Sequence, residues 1–284
     1  MTAGQAGEGW EVELAEALGA RAALAEPVAG GDINDAYRVQ LDDGRVVFVK
    51  THAHPPPGMF EAEARGLDWL RAGPLRVPRV LCAGERFLAL EWLTLGGRGR
   101  GFDEALGRGL AALHRVGAPA FGLDRDGYLA TLPQPRGELA DGPTFWIEHR
   151  VRPLAERARA AGRMPDVSAR LDALLARRDR FGPPEPPARL HGDLWWGNVA
   201  AAGGAPALID PAVYGGHREV DLAMLALFGG LPEPLVRAYD EVYPLAPGWR
   251  ERRLLWQLYP LAAHAVLFGG GYGAQVAQAL GALT

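Results

Sequence analysis

Asp193 and Asn198 stand five apart in His191-Gly192-Asp193-Leu194-Trp195-Trp196-Gly197-Asn198. That is the spacing of a loop that passes a phosphoryl group to a hydroxyl: the Asp accepts the hydroxyl proton and the Asn holds a metal ion. Twelve residues after the Asn, Ala207-Leu208-Ile209 reads as a short apolar strand closing on Asp210. A second carboxylate at that point completes an oxygen set suited to Mg²⁺ bridging two phosphates. A polar turn between strands is the plainer reading of any one such spacing. Composition favours the chemical one, because the chain has two Asn, Asn34 and Asn198, and both fall in glycine-containing motifs. Lys50 is the only lysine among 30 basic residues, and a chain otherwise committed to Arg keeps a compact ammonium where an Arg fork does not serve.

The elements that must position these groups follow from periodicity. Trp10 to Gly19 carries apolar residues at helical spacing. The next stretch reads as strand, glycine turn at Gly30-Gly31-Asp32-Ile33-Asn34, strand, then a hairpin through Asp42-Asp43-Gly44 into Arg45 to Lys50. The glycine turn is a weak signal by itself. With Lys50 two strands later, it fits backbone N–H groups above ATP phosphates and an ammonium below. Met59 to Leu70 predicts an amphipathic helix whose Glu63 would orient Lys50, with Glu61 the competing choice. Val77 to Ala83 and Arg86 to Trp92 predict two further strands, and an adenine edge would meet backbone at Glu91, Trp92 and Leu93.

Thr94 to Gly101, with glycine at four of its eight positions, reads as a flexible connector. It divides an ATP-binding lobe, 1–93, from a catalytic and acceptor-binding lobe, 102–284. The second is mainly helical: Phe102 to His114, Phe145 to Ala161, Val167 to Phe181, Glu219 to Phe228, Pro234 to Val242, Trp249 to Phe268 and Gln275 to Leu280, with Gly122 to Pro135 as loop. His114 reads as a cap or packing residue. The predicted fold is α+β and bilobal, protein-kinase-like, with a five-stranded antiparallel sheet plus helix in the smaller lobe.

Several classes are excluded. One serine, Ser168, leaves no nucleophile elbow, and Val49 ahead of Lys50 rules out a Walker A loop. Tyr128 stands where Asp124-x-Asp126-Gly127 would need its next calcium ligand. A net charge of −4 gives no reason to expect nucleic acid or an anionic membrane as partner. Neither a signal sequence nor an apolar run long enough to span a bilayer is visible, and the single Cys82 suits a reducing cytoplasm.

Four stretches carry a resemblance to the fructosamine kinase (ketosamine-3-kinase) family: Gly30 to Val39, Phe60-x-x-Glu63, His191 to Asn198, and Ile209-Asp210-Pro211-Ala212-Val213-Tyr214-x-Gly216-His217-Arg218-Glu219-x-Asp221-Leu222-Ala223-Met224. The last is the most specific; the related aminoglycoside and choline kinases share the His-Gly-Asp and later Asp but not this run. The resemblance implies ATP- and Mg²⁺-dependent phosphorylation of the 3-hydroxyl of ketosamines, with loss of the amine from the product. Carried over, Asp193 is the base, Asn198 and Asp210 the metal ligands, Lys50 the phosphate clamp and Glu63 its partner. Asp221, and His191 with it, would be structural; a helix-start acid is the other reading of Asp221. Trp195, Tyr214 and His217 are expected to contact the acceptor. Trp196 replaces the usual Ser and Arg136 the usual Asn, which bears on acceptor preference. An aminoglycoside- or choline-type kinase, or a nucleotide-binding scaffold without transfer, are the competing functions.

Overall fold

The computed structural model describes residues 9–29 and 34–284. Gly30, Gly31, Asp32 and Ile33, assigned above to the nucleotide turn, lie outside the described residues. Helix α1 (Trp10–Leu18) stops at Gly19, whose left-handed φ of +67° lets its N–H bond the Ala15 carbonyl. Strands β1 (Ala22–Pro27), β2 (Asp35–Leu41) and β3 (Val46–Thr51) lead into helix α2 (Met59–Leu70), followed by β4 (Val80–Ala83) and β5 (Phe87–Glu91). The five strands form one antiparallel sheet in the order β1-β2-β3-β5-β4.

Alternation along β3 decides where the lysine goes. Val47 and Val49 are buried with Trp10 and Leu14 beneath α1. Phe48 and Lys50 therefore share the opposite face, toward α2 and the second lobe. The register sets Lys50 between Ala36 of β2 and Leu88 of β5.

Thr94 to Gly101 is tied down rather than free. The Gly96 N–H donates to the Ala201 carbonyl and that of Gly99 to the Gly204 carbonyl, strapping the stretch to the hairpin of Val199–Ala202 and Ala205–Leu208. Helix α3 (Phe102–Val116) follows. A continuous core then crosses between the lobes, joining Phe60, Leu67 and Leu70 of α2 to Leu106 and Leu110 of α3 and to Leu222 and Leu225.

Three expectations change in detail. The stretch read as loop, Gly122 to Pro135, supplies short strands: Phe121–Leu123 joins a four-stranded sheet, while Gly127–Leu129 and Leu132–Gln134 form a hairpin. Three-residue strands are too short to show alternation. The first turns of the Phe145 helix are π-helical over Phe145–Val151, and only Arg152–Ala160 is α-helical. The long C-terminal helix is two, Trp249–Trp256 and Leu258–Phe268. Pro260 has no N–H for the Trp256 carbonyl, so it sits in the first turn of a new helix, where that donor is unused. Among the described residues no helix is long and apolar enough to cross a membrane.

Candidate active site

Glu63 lies one turn into α2, on the stripe with Phe60 and Leu67 that faces the sheet. Its Oε1 accepts from Lys50 Nζ at 2.8 Å, and Asp210 Oδ1 accepts from the same ammonium at 2.7 Å. Glu61, the competing candidate, does not reach it. Burial works against the charge on Lys50, but Asp210 and Glu63 outweigh it and hold the pKa above its ordinary value. The sole lysine is thus a fixed cation facing the second lobe.

Asp210 adopts a left-handed φ of +54°, uncommon for a residue with a side chain, which turns its carboxylate back toward Lys50. Asn198 closes the group. Its Nδ2 donates to the Asp193 carbonyl at 2.8 Å and lies 3.2 Å from Asp193 Oδ2 and 3.3 Å from the Asp210 carbonyl. With the amide nitrogen committed to these oxygens, Oδ1 remains as a ligand atom. Burial and the neighbouring Asp210 charge push the Asp193 carboxyl up to about 7, against the lowering effect of the Asn198 hydrogen bond.

A buried chain of polar groups holds the loop from behind. Asp221 accepts the His191 N–H at 2.8 Å and the Gly192 N–H at 3.0 Å, while His191 Nε2 bonds the Ile209 carbonyl at 2.9 Å. Gly192 has φ +82°, and a Cβ there would meet the Ala212 carbonyl oxygen at 2.0 Å, so no other residue fits. Asp221 also opens the helix Glu219–Gly229, so both readings of it describe its place. Behind it stands His114, with Nε2 3.2 Å from Asp221 and Nδ1 2.8 Å from the Tyr239 hydroxyl. Desolvation would raise the Asp221 carboxyl, but His114, His191 and the loop N–H groups keep it below its ordinary value. Sequence reasoning left His114 as a packing residue, and no local signal reveals a partner 107 positions away.

These groups border one cleft of about 890 Å³, lined by Asn34, Lys50, Glu63, Asp193, Trp195, Asn198 and Asp210 among others. His191 and Asp221 lie behind it. Glu91, Trp92 and Leu93 are not part of its wall. Glu91 faces Arg76 at 3.5 Å, Trp92 lies beneath the Arg38 guanidinium, and Leu93 is buried against Ala200 and Ala202. Two expected acceptor contacts are corrected. Tyr214 is fully buried among Phe145, Tyr259 and Arg150, and His217 stacks on Trp256 at 4.5 Å; both point into the core of the larger lobe. Trp196 lines the cleft from another role than a free aromatic: it packs on Gly229, donates from Nε1 to the Gly230 carbonyl and stacks under Arg98. Arg136 is exposed, with its N–H on Asp126. Phe228, Tyr259, His264, Phe268 and Tyr272 complete the far wall, and no motif in the sequence marks them. Phe228, Tyr259, His264 and Phe268 occupy apolar stretches where core packing is the simplest reading, and Tyr272 follows a run of glycines.

The fructosamine kinase family profile matches residues 10–284. A probable ketoamine kinase of Thermus thermophilus is 44% identical over 247 residues, covering 87% of this chain and 88% of its own. One of Synechocystis is 40% identical over 264 residues, covering 89% and 88%. A crystal structure from Thermobifida fusca, provisionally assigned as a fructosamine-3-kinase, superposes with a TM-score of 0.88 at 39% identity over 99% of both chains. A macrolide 2′-phosphotransferase, at 18% identity and a TM-score of 0.64 over 100% and 99% of the chains, shares the fold. With the family profile spanning nearly every residue around that cleft, the chain belongs to the fructosamine kinase family and is a kinase that uses ATP.

Proposed function

We propose that this kinase phosphorylates the 3-hydroxyl of ketosamines, the sugar–amine adducts formed by glycation, and so starts their removal in the cytoplasm. The observation that carries the reading is the convergence of Lys50, Glu63, Asp210, Asn198 and Asp193 on one cleft, in a family whose curated relatives bear the description probable ketoamine kinase.

The acceptor oxygen attacks the γ-phosphorus of ATP, the bond from that phosphorus to the ADP oxygen breaks, and the hydroxyl proton passes to Asp193. Lys50 bonds phosphate oxygens and offsets their charge. Asn34, at the end of the predicted nucleotide turn, lines the cleft from the sheet side. Asn198 Oδ1 and Asp210, whose side chain is 41% exposed, would hold Mg²⁺. When bound, it neutralises charge developing between the phosphates. Asp221 and His114 act only by holding the loop.

An ATP-consumption assay with a ribulosamine, a fructosamine, an aminoglycoside and choline tests this. Turnover confined to the ketosamines is expected. Preference for choline or the aminoglycoside would replace the reading, and ATP binding without transfer to any of the four would point to a scaffold.

A further inference from the structure

The phosphate end occupies only part of the cleft, and the other end is aromatic. Trp195, Phe228 and Phe268 are 42%, 43% and 52% exposed. They are the only exposed Phe or Trp side chains among the described residues, and all three line this cleft. Aromatic surface concentrated in one concavity marks a binding site more often than chance exposure does.

His264 stands at its centre, with ring centroids 5.0 Å from Phe228, 5.4 Å from Phe268 and 5.1 Å from Tyr272. Its Nδ1 lies 2.7 Å from the Pro260 carbonyl oxygen, which can only accept, so Nδ1 carries the hydrogen. Burial holds the ring's pKa below its ordinary value against the pull of that bond, so the ring is neutral and Nε2 keeps a lone pair. Among the described residues nothing bonds to Nε2. The mouth formed by Trp195, Phe228, His264, Leu267, Phe268 and Tyr272 thus offers π faces, the His264 Nε2 acceptor and the Tyr272 hydroxyl, and none of these six side chains carries a formal charge.

Its placement relates it to the transfer site. Tyr259 lies near enough to Asp193 to feel its charge, and from Tyr259 to Phe268 one face of a helix forms the wall. Nine residues at about 1.5 Å each give roughly 13 Å of wall leading outward. A ketosamine carries its amine on carbon 1, two carbons from the 3-hydroxyl. With that hydroxyl at Asp193, the amine substituent has this wall to follow.

We propose that the aromatic mouth is the subsite for the amine substituent, and that it selects ketosamines of small arylalkyl amines. The ammonium meets π faces and donates an N–H to His264 Nε2, while an aryl group takes up edge and stacked contacts with the rings. None of these six side chains offers a carboxylate a countercharge; the arginines of the cleft, Arg65 and Arg125, belong to α2 and to the turn before Gly127–Leu129. This inference rests on the ketosamine reading above.

The test compares kcat/KM for N-benzyl and N-methyl ribulosamine in the wild type and in a Phe228→Ala/Phe268→Ala double variant. Both side chains are about half exposed, so the fold does not depend on them. The benzyl-to-methyl ratio is expected at about tenfold, about 1.4 kcal/mol, falling toward unity in the variant. Damage to the fold lowers both rates and leaves the ratio. Equal rates in the wild type, or a ratio unchanged by the variant, would overturn the subsite. If neither compound is turned over, the ketosamine reading has failed, and the mouth is judged by calorimetry of benzylammonium against methylammonium on the ADP-loaded protein. Affinity about tenfold tighter for benzylammonium and lost in the variant supports it; equal affinities end it.

Discussion

The two ends of the cleft are built on opposite principles. At the phosphate end each charged group is fixed by another: Lys50 between Glu63 and Asp210, Asn198 against Asp193, the loop backbone on Asp221. At the aromatic end the side chains are half exposed and held mainly by ring contacts. Electrostatic stabilisation of a transition state requires groups already in position. Accommodation of a variable substituent does not. The contrast separates residues whose loss removes the reaction from residues whose loss changes what is accepted.

The largest effect that would test this contrast is Asp193→Asn. Turnover should fall by about 10³-fold, within the range for loss of a positioned base. Nucleotide affinity by titration should stay within about threefold, and retained turnover would remove Asp193 from its role. Next comes Lys50→Met, which leaves Glu63 and Asp210 facing each other without a cation. Breaking a buried pair in this way costs on the order of 3 kcal/mol, visible as a lower denaturant midpoint alongside weakened ATP binding. Asp210→Ala should weaken nucleotide and metal binding together, and metal-dependent ATP affinity left intact would show that Asp210 is not a ligand.

A smaller effect concerns pH. Burial lowers the pKa of His217 below its ordinary 6.5, only partly opposed by Glu219 and Glu185. The unfolded chain then binds a proton that the folded one refuses, so the contribution is complete above pH 6.5 and lost as pH falls below it. Denaturant midpoints should decline from pH 6.5 downward, and His217→Phe, which keeps a ring against Trp256, should flatten that decline. The smallest expected effect is at the other end: Phe268→Ser should shift stability by no more than about 0.5 kcal/mol, as for other exposed sites. A loss of several kcal/mol would mean that the aromatic end is part of the framework after all.

Legibility in the sequence follows the same division. The phosphate end could be read because one strand-loop-strand unit delivers Asp193, Asn198 and Asp210 within 18 positions, and the one lysine stood out by composition. The five-strand sheet and α2 were legible from alternation and from the 3.6-residue stripe. His114 was not, since its partner lies across the fold. Tyr214 and His217 misled because a motif tells which residues travel together but not which way each faces. In the strand Tyr214–Gly216 the tyrosine points into the large-lobe core. The aromatic end was invisible because Phe228, His264 and Phe268 come from helices whose apolar residues mostly do pack inward.

The seating of α2 has a further consequence. Leu67 and Leu70 are sunk into the core shared with α3, and Gly66 presses so closely on the residues following Asp210 that an added Cβ would meet Pro211 at 3.2 Å. Swinging this helix outward to part Glu63 from Lys50 would expose several large apolar side chains, at about 1.5–3 kcal/mol each. Parting Glu63 from Lys50 thus means unpacking two lobes together, so the pair is held by buried apolar area as well as by charge.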